Sequence, residues 1–391
     1  MAAETAKQFE ALERQAQTLM AAFVAAGYEA VAPAMIQPAT VFLDVVGEAL
    51  RARTYVFTDP DGNELCLRPD LTVPTCRLHL ERQGAHEAQG RYCYNGPAFR
   101  FQPAGADATH PREFRQAGIE NFGDINREES DAETVATILA ALRDTGLERT
   151  KLRLGDFGLF SAILDAAGLS ERLRGRITRQ FRRPDTFRAE LQKLAREPHS
   201  FARNIPEALQ TALKRGNGSA EKVVALYLDE QKIDPTGMRS ISEIAATLTD
   251  RVADAATPPL RPQIAELIER YAGLSAPLSS ATKAIRDMAQ KSGLDISASV
   301  DAFERRLSCL AKSGIASKDA EFSSSVGRSF QYYTGFTFEL TTQQLGDKSP
   351  IAGGGRYDGL MRAIGATQDI PAVGAAIHTE RLLAAVAEGR S

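Results

Sequence analysis

The sequence predicts an α+β fold: an antiparallel sheet flanked by helices and interrupted by a helical insertion. Three observations carry that reading. Strand-like hairpins cluster between Tyr55 and Phe122, a run of about 150 residues with helical periodicity follows Gly158, and strand character returns after Ser323. Sheet, helices and sheet again describe one interrupted domain, residues 1–165 with 320–391, around an insertion at 166–319.

The elements follow in order. From Thr5 to Ala26, Phe9, Leu12, Leu19, Met20, Phe23 and Val24 recur at helical spacing and Gly27 stands behind them as a stop, so the segment is an amphipathic helix. Tyr28 to Ala34 is short and extended. Tyr55 to Thr58 and Leu65 to Leu67 alternate on either side of Asp59-Pro-Asp-Gly-Asn63, where Pro60 and Gly62 supply the dihedrals of a reversal. This is a hairpin. Arg91 to Gln102 and Phe114 to Phe122 make a second one around a loop-like stretch, Pro103 to Arg112. Ser130-Asp-Ala-Glu133 has the form of a capping box, opening a helix with Val135, Ile138, Leu139 and Leu142 on one face and Gly146 past its end. Lys151 to Leu154 is a strand. In the insertion, breaks fall at Pro184, Gly216-Asn-Gly218 and Pro258-Pro259. Arg172 to Arg196 is dense in arginine, and the interspersed Glu171, Glu190 and Glu197 make it a solvated or partner-facing surface rather than a phosphate site. Tyr333 to Leu340 places Phe336, Phe338 and Leu340 on one face of a strand, Gly353 to Gly359 is a turn rich in backbone freedom, and Pro371 to Val386 pairs a strand with a closing helix.

Composition narrows the function. The 391 residues are 43% apolar and 25% charged, the profile of a globular chain of two or three domains. A net charge of -3 and a pI near 6.1 give no basic field, which argues against general affinity for nucleic acid, tRNA included. No run of about 18 apolar residues and no signal-like N-terminus occur, so the chain is expected in the cytoplasm and away from membranes. Cys66, Cys76, Cys93 and Cys309 form no Cys-x-x-Cys pair, and the five histidines show neither His-Glu-x-x-His nor a Cys/His cluster. No zinc site and no cofactor are expected, and the thiols read as reduced and buried.

By itself Gly353-Gly-Gly-Arg-Tyr-Asp-Gly359 lacks the lysine and the strand-to-helix context of a phosphate loop. Together with Arg328-Ser-Phe-Gln-Tyr-Tyr-Thr-Gly-Phe-Thr-Phe-Glu339 it resembles the paired signature segments of histidyl-tRNA synthetases, an Arg-Gly-x-Asp-Tyr-Tyr strand and a Gly-Gly-Arg-Tyr-Asp turn. Leu67-Arg-Pro-Asp-Leu-Thr-Val-Pro74 is similar to that family's Leu-Arg-Pro-Glu-x-Thr segment. Gly96 to Gln102 and Phe114 to Gly123 resemble the strands of class II motif 2, and Pro371 to Leu382 resembles motif 3. The resemblance covers residues 5–165 and 320–388, leaves the insertion unmatched, and implies a class II aminoacyl-tRNA synthetase-like core.

Carried over position by position, the family's histidine pocket falls on Asp70, Thr72, Gln116, Glu120, Arg328, Tyr333 and Tyr357. Free histidine presents an ammonium, a carboxylate and an imidazole, and so needs acidic and cationic partners and groups that fix the ring nitrogens. The resemblance implies that Asp70, Thr72 and Gln116 hold the amino group, Arg328 the carboxylate, and Glu120 with Tyr333 the imidazole, with Tyr357 closing the wall. Arg100, Arg112 and Arg381 match the phosphate and adenine arginines and are candidates for holding an anion.

The departures point away from adenylation. Gln331 replaces the aspartate of Arg-Gly-x-Asp-Tyr-Tyr, Gln102 replaces the acid at the end of motif 2, and Thr379 replaces a motif 3 glycine, where a side chain is expected to crowd the adenine site. ATP activation needs positioned ATP and charge stabilisation together, so no catalytic residue is assigned. The resemblance to the charging enzymes would place an α/β anticodon-reading domain after motif 3, and with only nine residues after Leu382 in this sequence none is expected here.

This combination resembles the regulatory subunits of ATP phosphoribosyltransferase. The resemblance implies partnership with the short-form catalytic subunit in a hetero-oligomer that L-histidine inhibits, and a twofold homodimer through Tyr28 to Gln37, with Pro33 in the motif 1 position. Two rival readings stay open. One is a minimal histidine-activating enzyme, favoured by Arg100, Arg328 and Arg381. The other is a binding module that meets a different partner through its arginine-rich helices.

Overall fold

The computed structural model describes residues 5–43, 48–83, 89–102, 105, 110–215, 219–233, 240–316, 318, 320–328 and 330–388. By contacts the chain divides into two units: Met1–Ala166 with Tyr271–Ser391, and Ala167–Arg270. The expected insertion, 166–319, is longer than the second unit, because the described residues from Tyr271 to 316 cluster with the first. The expected break at 216–218 and most of the loop expected between Pro103 and Arg112 lie outside the described residues.

The larger unit is built on a nine-stranded sheet. Its strands are β1 (Glu29–Ala30), β5 (Gly90–Phe99), β6 (Glu113–Phe122), β7 (Lys151–Asp156), β8 (Ser275–Pro277), β9 (Ala320–Ser323), β10 (Phe336–Thr341), β11 (Ala352–Arg356) and β12 (Ala372–His378), in the order β1-β5-β6-β12-β11-β10-β7-β9-β8. All neighbours run antiparallel except β1 with β5 and β7 with β9. A small sheet, β2-β4-β3, joins β2 (Ile36–Pro38), β3 (Tyr55–Thr58) and β4 (Glu64–Leu67). Here Asp59 makes the turn between β3 and β4 by accepting from the backbone N–H groups of Asp61 and Asn63 at 2.9 and 2.8 Å.

Helices α1 (Ala6–Ala25), α2 (Ala39–Leu43), α3 (Glu48–Arg51), α4 (Thr72–Gln83), α5 (Arg127–Asp144) and α6 (Phe157–Ala166) punctuate the first half of this unit. α1 starts at a capping box between Thr5 and Gln8 and ends before Gly27, whose φ of 87° only glycine adopts without strain. Its buried face is Leu12, Gln15, Ala16, Leu19 and Phe23; of the residues expected there, Leu12, Leu19 and Phe23 are buried, Met20 is half-buried, and Phe9 and Val24 are exposed. α5 differs from expectation. It begins at Arg127 rather than at Ser130, which lies inside it and donates to the Arg127 carbonyl at 3.1 Å; the turn before it is fixed instead by Asp124, which accepts from Asn126 N–H at 2.9 Å.

A second difference concerns the glycine segment. Gly353 to Gly355 are an interior strand, not a turn, and helix α15 (Asp358–Ala363) follows. The reason is close approach. A Cβ on Gly354 would overlap the Gly374 carbonyl and lie 2.5 Å from the Ala375 Cβ, and one on Gly355 would lie 2.5 Å from the Phe336 carbonyl oxygen. The strand expected from Tyr333 begins at Phe336, with Phe336, Phe338 and Leu340 buried as predicted. β12 leads directly into α16 (Thr379–Glu388), again as expected.

The smaller unit contains α7 (Glu171–Phe181), α8 (Pro184–Arg196), α9 (Glu207–Arg215), α10 (Ala220–Glu230), α11 (Ile241–Ala255) and most of α12 (Pro262–Ala272); α13 (Leu278–Lys291) and α14 (Ser297–Lys312) belong with the sheet. Pro184 opens α8, where its missing N–H costs nothing. The arginine-rich segment is not wholly solvated. Arg172 and Arg176 both pair with the buried Asp254, and Arg176 also reaches Glu190 at 2.8 Å, while Arg179, Arg183, Arg188 and Arg196 stay exposed.

All four cysteines are free thiols, three buried and Cys309 half-buried. Among the described residues no acidic, histidine or cysteine cluster could hold a metal, and no helix is long and apolar enough to cross a membrane.

Candidate functional site

A cavity of about 250 Å³ opens over β6, β12 and β11, near the small end of the range for ligand sites. Asp70, Thr72, Gln116, Tyr333 and Tyr357 line it, together with Arg100 and Arg381. Their placement follows from local structure. Asp70 sits in the turn between β4 and α4, and one of its oxygens accepts from Val73 N–H at 3.2 Å, which anchors the carboxylate to the first turn of the helix. Gln116, Gly118 and Glu120 alternate onto one face of β6. Gly118 is there because a Cβ would lie 2.6 Å from the Tyr94 hydroxyl, and Gly374, paired with Glu120 in register, because a Cβ would overlap the Glu120 carboxylate.

Glu120 lies behind the cavity, completely buried. Tyr94 donates its hydroxyl to one carboxylate oxygen at 2.9 Å, and Tyr357 donates to the other. Burial raises the Glu120 carboxyl to about 7, against the opposing hydrogen bonds from Tyr357, Thr72 and Tyr94. Asp70 is likewise pushed up by burial, opposed first by the charge of Arg100.

Three buried side-chain atoms among these residues have no hydrogen-bond partner: Asp70 Oδ2, Gln116 Oε1 and Arg100 Nη2. Each left unpaired costs on the order of 1–3 kcal/mol, and all three belong to residues that line the cavity.

Arg53, Arg100 and Arg381 line the cavity, as do His110 and His378. His378, tilted against Phe114 at 5.1 Å, is held well below the usual histidine range by burial first and then by Arg381 and Arg100, which keeps it neutral. Arg53 donates from Nε to the Phe101 carbonyl at 3.1 Å and from Nη2 to Gln102, while Arg381 donates to the Pro350 carbonyl at 2.8 Å.

Three sequence expectations meet a different arrangement. Arg328 does not line the cavity: it donates to the Ser324 carbonyl at 3.0 Å and to the Ala272 carbonyl at 2.6 Å. Arg112 is exposed, its guanidinium 5.8 Å from the Phe101 ring centre. Thr379 does not crowd the cavity; at the start of α16 its hydroxyl donates to the Arg115 carbonyl at 3.3 Å. Sequence reasoning in turn missed Tyr94, Tyr332, His378 and Arg53. Tyr94 could have been found from its alternation with Tyr92 on β5, and Tyr332 from its place beside Tyr333. Arg53 carries no local signal.

A family model for histidyl-tRNA synthetases matches residues 4–256 and 245–382. A protein of Brucella anthropi named ATP phosphoribosyltransferase regulatory subunit is 34% identical over 360 residues, covering 90% of this chain and 92% of that protein. The chain belongs to the ATP phosphoribosyltransferase regulatory subunit family. Solved structures share the family's synthetase-like fold. One from Bacillus halodurans, described as an ATP phosphoribosyltransferase regulatory subunit/histidyl-tRNA synthetase, superposes with a TM-score of 0.66 at 20% identity, covering 99% of this chain and 81% of its own. A histidine–tRNA ligase subunit from Alicyclobacillus acidocaldarius gives 0.61 at 22% identity, covering 100% and 97%. The large antiparallel sheet flanked by helices is therefore the class II synthetase-like core that the signature segments implied.

Proposed function

We propose that this chain is a non-catalytic, cytoplasmic regulatory subunit that joins the short-form catalytic subunit of ATP phosphoribosyltransferase and confers inhibition by L-histidine. The observation that carries the ligand is that Asp70, Gln116 and Arg100, each with a buried side-chain atom lacking a hydrogen-bond partner, line one cavity, with the buried Glu120 bonded to its wall residue Tyr357. An α-amino acid supplies the missing ammonium and carboxylate, and an imidazole supplies ring nitrogens for Glu120 and Tyr333. Regulation then requires that histidine bind one state of the assembly better than another. The names carried by the relatives support the partnership, and a twofold homodimer through Tyr28 to Gln37 within the hetero-oligomer is part of the same proposal.

The deciding experiment measures activity of a short-form catalytic chain with and without this chain, titrated with L-histidine. Activation that histidine reverses is expected. Failure of the two chains to associate, or activity indifferent to histidine, overturns the proposal.

The rival, a minimal histidine-activating enzyme, draws on the presence of Arg100 and Arg381 in the cavity. Against it, Gln102 stands where motif 2 carries an acid and is bonded to Arg53 and to the Pro111 carbonyl, and Arg381 is engaged by Pro350. ATP–pyrophosphate exchange dependent on histidine would establish the rival.

A further inference from the structure

The floor of the cavity steps from small to large along β12. Gly374, Ala376 and His378 pair in register with Glu120, Gly118 and Gln116 of β6, so all six residues share one face of the sheet. Gly374 and Ala376 leave that face open and His378 ends it; all three line the cavity. The His378 ring lies against Phe114, 5.1 Å between centres and 31° from parallel, and the guanidinium carbon of Arg100 lies 4.9 Å from the same phenyl centre. Backbone bonds fix the position. His378 N–H donates to the Ile351 carbonyl at 2.8 Å, and the Thr379 carbonyl accepts from the Gln15 side chain of α1 at 2.7 Å. Thr379 turns its hydroxyl to the Arg115 carbonyl, so of the two neighbours His378 is the one that enters the cavity.

A phenyl face beside the guanidiniums of Arg53, Arg100 and Arg381 is a receptor for a flat anion: an aromatic ring stacks on it and the charge meets N–H groups. A nucleotide has both parts. The catalytic chain of the reading above works with ATP, so a histidine sensor beside it needs a means of ignoring nucleotide. We propose that His378 is a specificity-determining residue, a resident ring on the Phe114 face that keeps the cavity for an amino acid and turns away a nucleotide. Imidazole suits the place because it is flat enough to lie on a phenyl ring and, held neutral there, adds no charge to the arginines around it. The inference rests on the amino-acid reading for what the cavity holds, but its test does not depend on histidine binding.

Calorimetric titration of the full chain with ATP, and with inorganic tripolyphosphate, which has the charge without the ring, compares the unsubstituted protein with His378→Ala. His378→Ala should bind ATP about 10- to 100-fold more tightly than the unsubstituted protein, the worth of one base stacked on an aromatic side chain, with tripolyphosphate affinity unchanged. Adding Phe114→Leu to His378→Ala should remove the gain. His378→Phe, which puts another ring in the same place, should exclude ATP as the unsubstituted protein does. Melting temperatures show which variants are folded, and should His378→Ala unfold, His378→Ser is read in the same way. A folded variant with no gain for ATP overturns the proposal. So does an equal gain for tripolyphosphate, or an unsubstituted protein that binds ATP as tightly as His378→Ala. Absence of L-histidine binding to the unsubstituted protein overturns the amino-acid reading and leaves the ATP comparison to decide the role of His378.

Discussion

Tyr357 donates its hydroxyl to the carboxylate of Glu120, joining the end of β11 to β6 across 237 positions of sequence. With Tyr94 on the other oxygen, this places a carboxyl in the interior with hydroxyl donors only. Hydroxyls satisfy its oxygens without neutralising its charge, and burial therefore dominates and lifts it to about 7.

The sign of the pH dependence follows. In the unfolded chain Glu120 ionises near 4.5, and in the folded one near 7. Folding takes up a proton between these values, so the stability from this group is complete below the lower one and lost as pH rises to the upper one. Glu120→Gln cannot ionise. Its stability relative to the unsubstituted protein should rise by about 2 to 3 kcal/mol between pH 5 and pH 8. Urea midpoints at the two pH values measure it, and a difference independent of pH would refute the burial account.

The glycines of β11 give a contrast between neighbours. Gly354 has Gly374 and Ala375 against the position of its missing side chain, whereas a Cβ on Gly353 would meet nothing closer than the Phe338 carbonyl oxygen at 3.5 Å. Gly354→Ala should cost about 1 to 3 kcal/mol or more through forced backbone movement, and Gly353→Ala well under 1 kcal/mol. Equal melting temperatures for the two variants would show that the sheet spacing here is not what selects glycine.

Which features could be read from sequence depended on how local their cause is. The Gly27 stop of α1, the Asp59 turn and the alternation of Phe336, Phe338 and Leu340 are set within a few residues, and each was legible. Gly354 and Gly355 misled because the reason for glycine lies in other strands: the Gly374 and Phe336 backbones approach too closely, a tertiary demand that looks like turn chemistry in one dimension. Ser130 misled in a related way. Neighbouring Asp131 is claimed by arginines far along the chain, at 2.7 Å by Arg306 and 2.9 Å by Arg356, and Ser130 itself accepts from Arg356 at 2.9 Å. Signature segments picked out Asp70, Thr72, Gln116, Tyr333 and Tyr357, which line one cavity, yet resemblance could not tell where the Arg328 guanidinium goes once Ser324 and Ala272 offer carbonyls.

That buried network yields another prediction. Asp131 is fully buried between Arg306 and Arg356, and Arg306 continues to Asp156 at 2.9 Å. Removing Asp131 leaves two arginines facing each other without the shared anion. Asp131→Ala should therefore destabilise by about 3 to 5 kcal/mol in urea unfolding, far more than removal of an exposed pair such as Arg14 with Glu10. A loss below 1 kcal/mol would mean that the arginines find other acceptors.

Asp70 makes the sharpest test of how charge is read in the cavity. Its Oδ1 is engaged by Val73 N–H, and Oδ2 has no partner among protein groups. Asp70→Asn keeps the shape and the first of these acceptors, and the side-chain oxygen that remains can serve the helix. What disappears is the negative charge facing an ammonium, in a setting where burial strengthens every charge interaction. L-histidine affinity should fall by about 10- to 100-fold. Imidazolepropionate, the same molecule without its amino group, has no ammonium to lose; its affinity should hold or improve, since the substitution removes a negative charge from the cavity that takes its carboxylate. If both ligands weaken equally, Asp70 supports the fold of the cavity rather than contacting the amino group.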